Sequence, residues 1–306
     1  MKAKEILEIA FKEARKAASK KTSHEKDEKK FIDLDVIRVE TAHAIVASYL
    51  NSYVRMSSAE LSEFEKALVE TMVDVREKNR ETEKIKAALR ILKQLKNELS
   101  LRIKYAKNRI ESDKIRKEFY GRMTSLVKKL RFDAIESFSK EITSLPKLKG
   151  MDTIIIAGCP NVGKSQILKT MSGKKITTAP YPFTTKELLV GYVKNRYADV
   201  QVVDTPGVLD RPIEQRNEIE KRALLALKYL SKNVLFVIDP SETCGYSVDA
   251  QLALKREIER DFKPRMFVVA TKKDIAGEYY GADYSVNALN ADDVESLRAK
   301  IMKFFF

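Results

Sequence analysis

The chain has 306 residues, 44% of them hydrophobic and 33% charged, and a formal net charge of +14. This composition is typical of a globular protein of about two domains, and no stretch approaches the roughly 18 uninterrupted apolar residues that a membrane span needs. Cys159 and Cys244 lie 85 positions apart, so neither a disulfide framework nor a zinc knuckle is plausible and we expect two free thiols in a reducing compartment. We expect a cytoplasmic protein without membrane contact, and a monomer.

The first half of the chain is helical by its pattern. Residues 1–145 contain one glycine and no proline, and their apolar residues recur at spacings of three and four. We predict an antiparallel helical bundle domain over residues 1–146, whose helices span residues 2–21, 33–52, 57–79, 81–111 and 113–143.

The pattern changes at Pro146 and Gly150, which mark a linker. Short β-branched runs then alternate with helical stretches, a pattern that indicates a mostly parallel sheet with helices on both faces. We predict an α/β domain over residues 147–306, with strands at 153–157, 188–193, 200–203, 234–238 and 266–270.

The segment Gly158-Cys-Pro-Asn-Val-Gly-Lys-Ser165 matches the phosphate-loop pattern G-x-x-x-x-G-K-[ST] at every fixed position and directly follows an apolar run. In such a loop, backbone N–H groups surround the phosphates, the lysine reaches their outer oxygens and the hydroxyl binds Mg²⁺. We therefore predict nucleotide contacts from Asn161, Val162, Gly163, Lys164, Ser165 and Gln166.

A second motif, Asp204-Thr-Pro-Gly207, follows the apolar run 200–203. An acid at a strand end holds Mg²⁺ directly or through water, and a glycine lets its backbone N–H approach the terminal phosphate. Between the two motifs, Tyr181-Pro-Phe-Thr-Thr185 supplies a threonine for the metal. We favour Thr185, with Thr184 as the alternative, and we predict magnesium ligands at Ser165, Thr185 and Asp204.

Recognition of the base is predicted at Thr271-Lys-Lys-Asp274, which follows the last apolar run. A carboxylate at Asp274 can accept both hydrogen bonds that guanine offers from N1–H and its exocyclic amine, whereas adenine has no matching pair of donors. The stem of Lys272 then lies along the base plane. Ser285-Val286 is the best candidate for the last loop that contacts the base, and the predicted ligand is GTP or GDP.

These motifs, together with Asp204-Thr-Pro-Gly-Val-Leu-Asp-Arg-Pro212 and Asp239-Pro-Ser-Glu-Thr-Cys-Gly245, resemble the nucleolar GTP-binding protein family of Obg-like GTPases, in its short archaeal form. The resemblance covers nearly the whole chain. Three positions depart from the family pattern: Thr271 replaces an asparagine, Val286 replaces an alanine, and Gln166 replaces a smaller residue. Thr271 can make part of the same bridging contacts, so guanine selectivity should survive.

Hydrolysis is expected to be slow, because Val208 occupies the position where some GTPases carry the glutamine that orients the attacking water. Resemblance to related GTPases implies that Asn161 helps bind a potassium ion beside the phosphates, where the ion offsets charge in the transition state. The alternative is that Asn161 only caps and packs the loop. The predicted catalytic set is Asn161, Lys164, Thr185 and Gly207.

A rival function from another class is a scaffold that binds RNA or protein while holding GTP or GDP without hydrolysing it. The missing glutamine favours the scaffold. The intact Lys164, Ser165, Thr185 and Asp204 favour a GTPase.

The positive charge is concentrated in the first half, where residues 101–131 carry 11 Lys and Arg against 3 Asp and Glu. A solvated helix face is the ordinary explanation of such a stretch, but its attachment to a nucleotide-binding domain favours RNA contact through phosphates. The family resemblance implies that the partner is ribosomal RNA of a large ribosomal subunit precursor, contacted from Arg102 to Arg131. The GTPase domain then acts as a timer.

Overall fold

The computed structural model describes residues 3–20, 28–145, 148, 151–173, 176–179, 187–194, 199–205, 209, 224, 227–230 and 232–306. Within these ranges, six helices precede the first strand. They are α1 (Ala3–Ser19), α2 (Glu28–Ser57), α3 (Glu63–Met72), α4 (Val75–Lys104), α5 (Arg109–Lys128) and α6 (Asp133–Ser144).

Helices α1, α2, α4 and α5 pack against one another around a shared apolar core. Leu50 of α2, Leu92 and Leu99 of α4, and Phe119 of α5 are completely buried there. Since each such side chain contributes about 1.5–3 kcal/mol on full burial, tertiary packing rather than helix propensity holds these long helices in place. The predicted helical bundle is confirmed.

The predicted helix over 57–79 was wrong, because the chain breaks between α3 and α4. The Asp74 side chain accepts a hydrogen bond from the backbone N–H of Glu77 at 3.0 Å and so caps the start of α4. Aspartate favours this capping position because its carboxylate satisfies a backbone donor that the helix cannot.

The predicted single helix over 113–143 is two helices, α5 and α6, and the helix predicted to reach 111 ends at Lys104. Leu130 and Phe132 lie in the break between α5 and α6, and both are buried. The Phe132 ring packs against the ring of Tyr53 with centroids 4.4 Å apart. The break allows both side chains to enter the core, a tertiary effect that periodicity alone does not reveal.

Asp35 joins α2 to α5 inside this core. Its carboxylate accepts hydrogen bonds from Arg38 Nη1 and Ser112 Oγ, both at 2.8 Å, and lies 2.9 Å from Arg116 Nε. Because a buried carboxylate is stable only when paired, Arg116 serves the fold and is not a free surface cation.

The described residues that follow α6 include a seven-stranded sheet in the order β2-β3-β4-β1-β5-β6-β7. Strands β1, β4, β5, β6 and β7 run parallel to one another, while β2–β3 and β3–β4 are antiparallel pairs. The strands are β1 (Thr153–Ala157), β2 (Ile176–Ala179), β3 (Leu188–Lys194), β4 (Asp199–Asp204), β5 (Asn233–Ile238), β6 (Arg265–Ala270) and β7 (Tyr284–Ser285).

The helices associated with this sheet are α7 (Lys164–Ser172), α8 (Val248–Phe262), α9 (Lys273–Ala276) and α10 (Ala291–Phe305), with a short 3₁₀ helix at Leu227–Tyr229. The five predicted strands are confirmed to within one residue at each end. The short strands β2 and β7 were not predicted. The fold class, a helical bundle followed by a mostly parallel α/β domain, is confirmed.

Contacts divide the chain into two units, Met1–Glu60 with Val73–Glu141 and Leu61–Met72 with Ile142–Phe306. Helix α3 therefore belongs to the second unit, although it lies within the sequence of the bundle. The domain boundary at residue 146 stays a prediction. Among the described ranges, no helix combines the length and the apolar character that crossing a membrane requires.

Candidate functional site

Four parallel strands bring the sequence motifs to one edge of the sheet. Ile156 of β1 pairs with Asp204 of β4, and Ile238 of β5 pairs with Ala270 of β6, so these strands end together. The carboxyl ends of such strands form the usual ligand crevice of an open α/β sheet. The loops that follow β1, β4, β5 and β6 therefore define the candidate site.

The loop after β1 depends on unusual backbone conformations. Gly158 has φ +143° and Gly163 has φ +99°. A Cβ atom on Gly158 would lie 2.3 Å from the carbonyl oxygen of Val237, so that position requires glycine. Asn161 has φ +61° and an exposed side chain. Asparagine is one of the few non-glycine residues that adopt this left-handed conformation readily, which gives Asn161 a conformational role in the loop.

Lys164 starts helix α7 and crosses the loop that precedes it. Its side chain is buried, and Nζ donates to the carbonyl oxygens of Gly158 at 2.8 Å and Cys159 at 2.7 Å. Gly163, the residue before the helix, has no side chain that could cap the first turn of α7, and the partial positive charge of a helix amino terminus attracts an anion. The loop thus combines an ammonium group with a helix amino terminus.

Ser165 and Asp204 meet at the same edge. Ser165 Oγ donates to Asp204 Oδ2 at 2.5 Å, and Asp204 is fully buried at the end of β4. A hydroxyl and a carboxylate are the hard oxygen ligands that Mg²⁺ prefers, so the pair fits the predicted metal. The predicted partners Thr184, Thr185 and Gly207 lie outside the described residues, as does Val208.

Gln166 occupies the third position of α7. Its side-chain amide donates along the helix to the hydroxyl of Thr170 at 3.4 Å. This bond directs the amide along its own helix. The nucleotide contact predicted for Gln166 stays a prediction.

Thr271 connects the loop after β6 to the phosphate loop. Its buried hydroxyl lies 2.7 Å from the carbonyl oxygen of Val162, to which it donates, and 3.2 Å from that of Ile238. The Thr271 methyl group also lies 3.5 Å from the position a Cβ would take on Gly163. The hydroxyl makes the kind of bridging contact expected where the family pattern has asparagine.

The loops after β6 and β7 are adjacent. The N–H of Val286 donates to the carbonyl oxygen of Ala270 at 2.8 Å, and the N–H of Lys273 donates to the carbonyl oxygen of Val286 at 3.3 Å. Asp274 is exposed in the first turn of α9, where a ligand can reach it. Ser285 and Val286 are buried, and Ser285 Oγ accepts a hydrogen bond from the N–H of Tyr279 at 3.0 Å. The structure therefore brings the predicted base-recognition segments together.

Lys272 lies in the loop after β6, and the sequence analysis did not predict its partner. Its Nζ donates to Asp239 Oδ2 at 2.6 Å and to Thr243 Oγ1 at 2.7 Å. Burial alone would raise the pKa of Asp239, but hydrogen bonds from Lys272, Ser241 and the N–H of Cys244 lower it below its ordinary value. The sequence contained a signal for Asp239, because this aspartate directly follows the apolar strand β5, much as Asp204 lies at the end of β4.

The basic region from Arg102 to Arg131 contains cations with and without an ion pair; among the latter, the Arg109 guanidinium stacks over the Phe31 ring at 4.3 Å. Arg102, Arg116, Lys117 and Arg122 form ion pairs within the helical unit. Seven other cations are exposed and form no ion pair with any acidic residue in the described part of the chain; they are Lys104, Lys107, Arg109, Lys114, Lys128, Lys129 and Arg131.

The aromatic residues of this region differ in exposure. Phe119 and Phe132 belong to the core, and Tyr120 packs against the Phe11 ring at 4.7 Å. Tyr105 is 81% exposed. Of the four aromatic side chains among these charges, Tyr105 is thus the one available to stack on a base.

Two family models match the chain and together span residues 1–272. The first, described as NOG1 N-terminal helical domain, matches residues 1–152. The second, described as 50S ribosome-binding GTPase, matches residues 153–272.

Curated relatives are similar over much of the chain. An uncharacterised protein of Methanocaldococcus jannaschii is 37% identical over 245 residues, which cover 79% of this chain and 69% of that protein. Nucleolar GTP-binding protein 1 of Encephalitozoon cuniculi is 36% identical over 197 residues, or 63% of this chain and 37% of that protein. The match thus spans little more than a third of the length of the second relative.

A solved structure is also similar. It is that of a candidate nucleolar GTP-binding protein 1 from Plasmodium falciparum, 27% identical, and the match covers 52% of this chain and 90% of that chain with a TM-score of 0.44.

Proposed function

The chain belongs to the nucleolar GTP-binding protein 1 family of GTPases, and on this premise we propose that it is a slow GTPase that acts in assembly of the large ribosomal subunit. The single observation that carries the nucleotide half of this proposal is the convergence of the Lys164 loop, the Ser165–Asp204 pair and the Thr271 tether at one edge of the sheet. A bound phosphate ester with its metal ion would contact all of these groups. The lysine and the helix amino terminus would bind the phosphate, and the two oxygen ligands would bind the metal ion.

In this proposal the phosphates lie in the loop, held by backbone N–H groups from Asn161 to Gln166 and by the Lys164 ammonium. Ser165 and Asp204 hold Mg²⁺, with Thr185, or alternatively Thr184, completing the ligand set. When bound, the metal supplies charge neutralisation on the phosphate oxygens. The N–H of Gly207 approaches the terminal phosphate, so the loop it belongs to senses whether that phosphate is present.

Guanine is recognised by the loops after β6 and β7. Asp274 accepts hydrogen bonds from the base edge, since ionised aspartate is an acceptor only. The stem of Lys272 lies along the base plane, Thr271 ties this loop to the phosphate loop, and Ser285-Val286 closes the far side of the base. Exposure of Asp274 supports this role, because a ligand can reach a carboxylate that forms no ion pair within the described ranges.

Hydrolysis is slow because Val208 offers no side-chain hydrogen bond to water, and we propose that Asn161 recruits potassium in compensation. The left-handed conformation of Asn161 supplies a competing, purely conformational reason for asparagine at this position. Any test must therefore separate the side-chain amide from the backbone shape that it permits.

Asn161→Gly makes that separation, since glycine adopts the same backbone conformation without the amide. We expect GTP turnover by the wild-type protein to be about tenfold faster in potassium than in sodium, equivalent to about 1.4 kcal/mol of transition-state stabilisation. The variant should lose this difference and keep its GTP affinity. Equal wild-type rates in the two salts, or a potassium effect that survives in Asn161→Gly, would contradict the potassium role.

We also propose that the helical bundle binds ribosomal RNA in a large-subunit precursor and that the nucleotide acts as a timer for release. The seven exposed cations without an acidic partner in the described ranges support this, since such lysines and arginines are free to release counterions from RNA phosphates. The relative named nucleolar GTP-binding protein 1 and the family described as 50S ribosome-binding GTPase support the same partner. We propose that the protein acts as a monomer.

Binding to precursor particles should weaken steeply with salt. For protein loaded with a non-hydrolysable GTP analogue, we expect cosedimentation affinity to fall by about a thousandfold between roughly 50 and 200 mM salt, as for six or more phosphate contacts. The triple variant Lys104→Gln, Lys107→Gln, Lys114→Gln should reduce the slope of log affinity against log salt by about two. Neutralising Lys12, Lys20 and Lys93, which are exposed outside the basic region, is the matched control. An affinity insensitive to salt would overturn the RNA contact.

A further inference from the structure

Asp239 is the centre of a buried polar network at the end of β5. The residue has no exposed surface. Its Oδ1 accepts hydrogen bonds from the N–H and hydroxyl of Ser241 at 3.0 and 2.5 Å. Its Oδ2 accepts from the N–H of Cys244 at 2.9 Å and from Lys272 Nζ at 2.6 Å. Both carboxylate oxygens are thus in use, and one of the donors belongs to a proposed base-contacting residue.

The backbone of Asp239 is fixed as well. Gln251, fully buried on α8, accepts a hydrogen bond from the Asp239 N–H at 2.8 Å and donates to the Asp239 carbonyl at 3.0 Å. The same amide donates to the backbone carbonyl oxygen of Tyr246 at 2.9 Å and so closes the loop that follows β5. Asp239 therefore has little freedom to move, and a rigid acceptor fixes the group that it binds.

Lys272 is held at both ends. Its backbone, at φ +54°, follows Thr271, whose hydroxyl is tied to the phosphate loop. Its ammonium group is held by Asp239 and Thr243. The side chain between these points is 25% exposed, whereas Asp239 is not exposed at all. The Lys272 side chain thus runs from the loop after β6 to the loop after β5, and contacts hold it at both ends.

We propose that Asp239 is a positioning residue for guanine nucleotides, which holds the Lys272 ammonium so that the aliphatic stem forms one wall of the base site. The inference rests on the proposed nucleotide site and adds to it the loop after β5, with Thr243 as a second anchor. A free lysine side chain has many rotamers, and ordering it on binding costs affinity. Asp239 removes that cost before the nucleotide arrives.

The positioning role predicts coupling between Asp239 and Lys272, and a double-mutant cycle measures it. Asp239→Asn keeps the shape of the side chain and removes its charge. We expect it to lower the affinity for GDP and for IDP, which lacks the exocyclic amine, by the same factor of about ten, the size expected for losing one charge-assisted contact. In a Lys272→Ala background the same change should alter neither affinity by more than about twofold, since the side chain to be positioned is gone.

Thr243→Val tests the second anchor at an exposed residue. It removes the hydroxyl that accepts from Lys272 Nζ and that also donates to Asp239 Oδ2 at 3.2 Å. It should weaken binding of both nucleotides by about threefold, less than Asp239→Asn because the charged partner of Lys272 stays, and again have no effect with Lys272→Ala. Asp249→Asn, an exposed carboxylate at the start of α8, is the matched control and should leave both affinities unchanged. Calorimetric titration gives the affinities, and thermal unfolding shows that each variant is folded.

The outcomes separate the inference from the function on which it rests. If Asp239→Asn weakens binding equally with and without Lys272, Asp239 only supports its own loop and the positioning role is wrong. An affinity within twofold of wild type for Asp239→Asn also overturns it. The proposed guanine site is tested separately by Asp274→Ala, which should abolish the preference for GDP over IDP. If wild-type protein binds neither nucleotide, both proposals fall.

Discussion

Lys164→Ala should lower the affinity of the protein for GTP by roughly 10- to 100-fold, the size expected for losing a charge-assisted contact of about 1.5–3 kcal/mol. Lys164 is 7% exposed, and its ammonium group is placed across the phosphate loop by the carbonyl oxygens of Gly158 and Cys159. A phosphate in the loop would meet an ammonium group that is already in place. Turnover should fall further, by about 10²–10³, because the ammonium also stabilises charge that develops in the transition state.

Binding of GTP by calorimetry and turnover by phosphate release measure the two effects in Lys164→Ala. Lys169→Ala is the matched control, since Lys169 lies on the same helix with an exposed side chain. Its GTP affinity should equal that of wild type. If Lys164→Ala binds GTP within about threefold of wild type, the contact is worth too little to count as charge-assisted, and the loop does not hold phosphates as proposed.

Hydrolysis by the wild-type protein separates the proposed GTPase from the rival scaffold. A scaffold that holds GTP without hydrolysing it needs the loop only for affinity, so its wild-type turnover should be undetectable with or without precursor particles. A timer needs turnover to end an interaction. Single-turnover hydrolysis by wild-type protein, measured alone and with large-subunit precursors, therefore distinguishes the two, with Lys164→Ala as the inactive reference.

Continuous apolar runs predicted the central strands well. Ile154, Ile155 and Ile156 of β1, like Val234–Ile238 of β5, are buried on both faces of the sheet, and a run of β-branched residues has few other stable arrangements. The strand β2 was missed because two of its four residues are exposed threonines, and β7 because it has only two residues. Edge strands depend on their neighbours more than on their own sequence.

Helix boundaries were less predictable than helices. Apolar periodicity continues from α3 into α4 and from α5 into α6, since both members of each pair have buried faces. Specific contacts set the helix boundaries. Asp74 caps the start of α4, and Phe132 packs against Tyr53 between α5 and α6. The start of α4 could have been predicted from Asp74 and from Glu77 three residues later. The break between α5 and α6 could not, because the contact of Phe132 with Tyr53 depends on the tertiary structure.

The phosphate-loop residues could be predicted because backbone geometry demands particular residues at fixed spacing. The partner of Lys272 could not, since Asp239 lies 33 positions earlier in the chain and meets it only through the pairing of β5 with β6. Asn161 shows the reverse case. Its presence suggested an ion ligand, and the structure adds that the loop needs a left-handed residue there, a requirement that no spacing rule expresses.

Gly158→Ala should destabilise the second unit by about 3 kcal/mol or more, through a contact that cannot relax cheaply. The new Cβ would lie 2.3 Å from the carbonyl oxygen of Val237, a backbone atom of β5, and 3.3 Å from a methyl group of Val162. Gly158 also has φ +143°, which alanine rarely adopts. Relief requires the phosphate loop to move away from β5, so GTP affinity should fall together with the melting temperature.

Gly173→Ala isolates the steric contact from the backbone preference. Gly173 follows α7 at φ +63° and ψ −143°, and no atom of the described residues lies within 4 Å of the position that a Cβ would take, so alanine there carries the conformational cost alone, about 1–3 kcal/mol. Thermal unfolding and GTP titration of the two variants should show Gly158→Ala much the more damaged in both. Equal destabilisation would mean that the phosphate loop can move away from β5 at little cost in free energy. A loop that is so flexible could not hold Lys164 and the backbone N–H groups in place before a phosphate binds.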